Sequence, residues 1–77
     1  MLTGFPLSLT NLPYLQKIRL EDNELQTLPN TIGDMNSLQV LWVEENELES
    51  LPDTFINLKS LRNLNLSDNR LNFSQNL

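Results

Sequence analysis

The stretch at residues 38–60, LQVLWVEENELESLPDTFINLKS, constrains this chain more than any other feature, because it occurs more than once. Moved back 23 positions, it lands on residues 15–37, LQKIRLEDNELQTLPNTIGDMNS; moved forward, it lands on LRNLNLSDNRL, which begins at Leu61. Nearly every apolar position survives both moves. A period between about 20 and 50 residues marks a chain of stacked units, each too small to enclose its own apolar side chains. One continuous segment is therefore expected over residues 1–77: part of a unit at 1–14, full units at 15–37 and 38–60, and a partial unit at 61–77.

The two halves of a unit call for different backbones. Leu41 and Val43 alternate with Val40, Trp42 and Glu44, which is the period of a strand. Strands in successive units must run parallel, because a return segment separates them. In the return, Phe55, Leu58 and Leu61 lie three apart, a spacing that suits a short 3₁₀-like or irregular turn with one inner face. Pro29 and Pro52 preset φ and lack a donor, which fits the entry to such a turn. The fold class expected is thus α/β, with parallel strands on one side of the stack and short helical turns on the other.

Written out, the unit is L-x-x-L-x-L-x-x-N-x-L followed by L-P-x-x-φ-x-x-φ, where φ is a large apolar residue. Leu15, Ile18, Leu20, Asn23 and Leu25 fill the first part once; Leu38, Leu41, Val43, Asn46 and Leu48 fill it again, and Leu61, Leu64, Leu66, Asn69 and Leu71 a third time. This resembles the leucine-rich repeat. The second part, Leu28-Pro29 with Ile32 and Met35, then Leu51-Pro52 with Phe55 and Leu58, resembles the LPxxφxxL subtype found in intracellular members such as Ras-suppressor-like proteins and LAP polarity scaffolds. The resemblance implies a right-handed solenoid with strands on the concave face, turns on the convex face, and partners seated on the concave side. Asn23, Asn46 and Asn69 are expected to stack as a buried ladder, their amides bonding backbone groups of the turn and of neighbouring units.

At the start, Leu2 aligns with Leu25, Phe5-Pro6 with Leu28-Pro29, Leu9 with Ile32 and Leu12 with Met35. A chain that opens mid-unit lacks a polar cap, so a fragment of a longer array, able to associate end to end, is expected. Near the other end the register slips by one, and Phe73 is expected to fill the slot of Leu51.

Composition excludes more than it identifies. There is no Cys, whereas secreted relatives usually carry disulfide-bonded caps, and the N-terminal residues lack a basic n-region; a cytoplasmic protein is expected. No run of 18 apolar residues exists to span a membrane. A net charge of −5 argues against nucleic acid or an anionic membrane as partner. Without His or Cys, and with 2 Gly, the chain lacks the usual bases, thiol nucleophiles, zinc ligands and phosphate-cradling loops, so no catalysis, cofactor or metal is expected. Carboxylates at Asp22, Glu45 and Asp68 lack the Gly turn and spacing of calcium loops.

Function is then expected on the open strand face. Stacking puts Lys17, Val40 and Asn63 in one row, Arg19, Trp42 and Asn65 in the next, and Glu21, Glu44 and Ser67 after that. Trp42, between inward-pointing Leu41 and Val43, has the profile of an interface anchor, unless Arg19 simply lies over it in a cation–π contact. Glu21 and Glu44 should face each other and repel. The wider acidic cluster reads either as a solvated rim or as a site for a partner with a basic surface. These expectations describe a protein-binding module for scaffolding or signalling. The alternative is the substrate-recognition repeat region of a larger enzyme, such as a kinase or ubiquitin ligase.

Overall fold

Alternation at each strand position resolves into one parallel sheet. In the computed structural model, which describes residues 2–71, β1 (Lys17–Arg19), β2 (Val40–Trp42) and β3 (Asn63–Asn65) lie in the order β1-β2-β3. Ile18, Leu41 and Leu64 are in register at their centres, as are Arg19, Trp42 and Asn65. The ladder continues past the strands. Leu20 N–H donates to Trp42 O at 2.8 Å and Asp22 N–H to Glu44 O at 3.1 Å, and Val43 N–H to Asn65 O and Glu45 N–H to Ser67 O, each at 3.0 Å.

The return segments are 3₁₀ turns at Leu7–Asn11, Asn30–Asp34 and Asp53–Asn57, and no α-helix forms among the described residues. This is the short 3₁₀ form expected of the return segments: with apolar residues three apart, a 3₁₀ turn keeps them all on one inner face. Pro6, Pro29 and Pro52 precede the turns at φ −71°, −73° and −67°. Each proline carbonyl accepts the first turn bond, from Leu9, Ile32 and Phe55 N–H at 3.0, 3.1 and 2.9 Å.

Between sheet and turns lies the core, centred on Leu25, Ile32, Leu38, Leu41, Val43 and Leu48, all 0% exposed. Burial fades toward both ends of the stack. Leu2, Leu12 and Leu64 are 40%, 48% and 40% exposed, whereas their equivalents Leu25, Met35 and Leu41 are 0%, 3% and 0%. A unit is sheltered only where it has a neighbour on each side.

The asparagines bridge units. Asn46 Oδ1 accepts from Leu25 N–H at 3.0 Å, and its Nδ2 donates to Leu20 O, Val43 O and Glu44 O at 2.9, 3.0 and 3.2 Å. Asn69 repeats this with Leu48 N–H, Val43 O, Leu66 O and Ser67 O. Asn23 accepts from Leu2 N–H and donates to Leu20 O and Glu21 O. The side chains align, but Asn46 alone is buried; Asn23 and Asn69 are half-buried because one flank of each is less covered.

The turns are also stapled. Thr54 Oγ1 donates to Asn30 O at 2.6 Å and Ser60 Oγ to Asn36 O at 2.7 Å. The first staple draws the third turn so close to the second that a Cβ on Gly33 would meet Thr54 Cβ and O, both at 2.6 Å. Gly33→Ala is expected to destabilise the chain by roughly 1–3 kcal/mol, the usual cost of overpacking, measured by chemical denaturation. An unchanged or raised stability would show that the turns part freely. The expectation for Phe73 falls outside the described residues.

Candidate interaction surface on the open sheet face

Because Ile18 and Leu41 point into the core, the residues beside them in each strand must point away from it. Lys17, Arg19 and Asn63 are exposed on that face, while Val40, Trp42 and Asn65 are half-buried by their neighbours. Register places Lys17, Val40 and Asn63 in one row and Arg19, Trp42 and Asn65 in the next.

Trp42 is less free than alternation alone suggests. The Arg19 guanidinium carbon lies 4.6 Å from the centre of its ring, and Trp42 Nε1–H donates to Asn63 Oδ1 at 3.0 Å. The indole thus presents one braced face, held by a contact worth about 0.5–1 kcal/mol at an exposed site. Arg19 has a second commitment: its Nη2 donates to Glu21 Oε2 at 2.7 Å. Asn65 Oδ1 accepts from Ser67 N–H at 3.1 Å and Ser67 Oγ–H at 2.7 Å, which closes the far end of the row.

The predicted repulsion between Glu21 and Glu44 is displaced. Glu21's own backbone N–H, and then Arg19, hold its carboxyl below the usual range. Conflict appears one residue on, where the hydrogen bond and charge of Asp22, with Asp68 and Glu44 adding, push the Glu45 carboxyl up. Asp22, Glu45 and Asp68 all sit in the left-handed region, at φ 61°, 58° and 57°. Each strand therefore ends in a tight bend that turns a carboxylate toward the same edge, a conformation Gly and Asn adopt more readily. The 23-residue spacing of these carboxylates puts them in one row, but it carries no signal for the bend. Glu44 shares this end of the face, and its Oε1 is enclosed without a hydrogen-bond partner.

A raised carboxyl pKa fixes the sign of a pH effect. In the folded chain Glu45 keeps its proton to higher pH than in the unfolded chain, so its contribution is full at low pH and is lost as pH rises through the carboxylate range. Relative to Glu45→Gln, the wild-type Tm is expected to fall as pH rises through the carboxylate range from about pH 4 upward. A Tm difference independent of pH would refute the crowding of these groups.

Among the described residues, no group of three or more Asp, Glu, His or Cys side chains is placed to hold a metal ion, and no helix is long and apolar enough to cross a membrane. Comparison with known proteins gives a consistent picture. The leucine rich repeat family profile matches residues 13–71. None of the curated proteins compared matches the chain. Among solved structures, a leucine-rich-repeat protein from Leptospira interrogans superposes with a TM-score of 0.87 at 36% identity, over 90% of this chain. The chain spans 18% of that protein's length.

Proposed function

Since the chain belongs to the leucine-rich-repeat family, we propose that it is a protein-interaction module whose open strand face seats a partner. The observation that supports this reading is Trp42, an aromatic ring set at the centre of a mostly polar face and braced by Arg19 and Asn63. A rigid, half-covered aromatic contributes contact area with little further loss of entropy, which is how interface anchors work. Lys17, Val40, Asn63, Asn65, Glu21 and Glu44 complete the contact surface.

In this reading the strands line the concave side of a right-handed solenoid of the intracellular LPxxφxxL kind. The segment acts by binding rather than catalysis, in cytoplasmic scaffolding or signalling. It belongs to a longer array, in keeping with the 18% of the Leptospira interrogans protein that it spans. The exposed apolar residues Leu2, Leu12 and Leu64 are where neighbouring units of that array would pack, or, for the segment alone, where a second copy would associate end to end. That same fraction supports a second reading, in which such repeats recognise substrates for a larger enzyme.

Trp42→Ala tests the primary reading. The variant should lose only about 1 kcal/mol of stability, the stacking and one hydrogen bond. Its affinity for partners captured by the wild type should fall by roughly thirtyfold or more. Wild type and variant capturing the same partners with equal strength would contradict it.

A further inference from the structure

The partner's chemistry follows from how charge is distributed over this face, and it rests on the reading just given. Among the described residues, Arg19–Glu21 is the only ion pair, so Asp22, Glu44, Glu45 and Asp68 have no cation within 4.0 Å. Backbone bonds from Asp22 N–H to Glu44 O and from Glu45 N–H to Ser67 O hold these residues side by side at the carboxyl end of the sheet. Asp22, with Asp68 and Glu44, crowds Glu45 closely enough to push its carboxyl up.

Glu44 adds an independent demand. Its Oε1 is enclosed by the protein yet accepts no hydrogen bond, and an acceptor left in that state is costly. Because that oxygen is covered, a partner's cation would meet the carboxylate at its other oxygen and offset the buried charge. Glu44 also lies two residues beyond Trp42 on the same face, about 6.6 Å along the strand direction. Apolar and acidic subsites are therefore set at the spacing of alternate residues in an extended chain. Arg19, the cation over Trp42, is already held by Glu21.

We propose that the occupant of the open face is an extended protein segment with an apolar residue against Trp42 and Val40 and, two residues away, a Lys or Arg against Glu44 and the Asp22–Glu45 pair. Unlike nucleic acid or an anionic membrane, such a segment carries charge opposite to the chain's net −5.

A random-peptide phage library panned against the immobilised chain tests this, with selected peptides re-measured against variants and at low and high salt. Selected sequences should share an apolar-x-Lys/Arg pattern. Their affinity should fall on the order of tenfold with Glu44→Gln, and with added salt, and by roughly thirtyfold with Trp42→Ala. Far-UV circular dichroism establishes that each variant is folded, and Glu45→Gln substitutes if Glu44→Gln is not. Peptides that need Trp42 but carry no basic residue, or ignore salt and both Gln variants, overturn this inference and leave the proposed function standing. A library that yields no binder, or binders indifferent to Trp42→Ala, overturns both.

Discussion

Asn46→Ala is expected to cost roughly 2–4 kcal/mol, a large loss for a single polar residue. The origin of the loss can be located. Leu20 O keeps a donor in Asn23 Nδ2, Val43 O keeps one in Asn69 Nδ2, and Glu44 O keeps Asp22 N–H. Leu25 N–H, whose acceptor is Asn46 Oδ1, is left with none in a position where the residue is 0% exposed. That orphaned donor, with the void where the amide sat, carries most of the cost. Asn46→Asp should be at least as damaging near neutral pH, because a carboxylate would point lone pairs at three carbonyl oxygens. Asn69→Ala should cost less, since Asn69 is half-buried and water can replace it. Urea denaturation of the three variants gives the comparison; an Asn46→Ala loss below about 1 kcal/mol would contradict the bridging role.

Leu41→Ala is the second large effect, at roughly 3–4 kcal/mol. Leu41 is 0% exposed, in register between Ile18 and Leu64, so both flanks of the resulting void belong to other units and neither can collapse into it. Leu64→Ala, the same change one strand over, should cost about 1 kcal/mol, because Leu64 is already 40% exposed. In a chain this small, where stability is a narrow difference between large opposing contributions, the first variant is expected to be substantially unfolded at room temperature and the second folded. Equal losses at the two positions would mean that burial does not depend on having neighbours.

Much of this architecture was legible because its physics is periodic. Side chains at Lys17, Ile18 and Arg19 alternate about the core as their counterparts in β2 do, and that alternation is written directly in the residue types. The ladder was legible too, since an amide needs both a donor and an acceptor and Asn recurs at the one position that faces both. What the sequence concealed is non-periodic. Gly33 has no matching glycine: its counterpart Ile56 is 88% exposed, and only contact with Thr54 makes a bare Cα necessary. Arg19 was paired in advance with Trp42, but its bond to Glu21 runs along its own strand and removes the repulsion expected between Glu21 and Glu44. The row of carboxylates at Asp22, Glu45 and Asp68 is visible in the 23-residue period, but the left-handed bends there use no glycine that would have announced them.

The claim beneath all of this is that each unit is completed by the next, through a side chain rather than through regular secondary structure. Leu25 and Leu48 lie outside every strand and turn, and their amides donate only to Asn46 Oδ1 and Asn69 Oδ1. Native-state hydrogen exchange at these two amides is the direct measurement. The Leu25 amide should be protected nearly as well as the Leu41 amide of the central strand, with Leu48 close behind. Exchange of Leu25 at the rate of an exposed loop would mean that the units stand side by side without sharing a core.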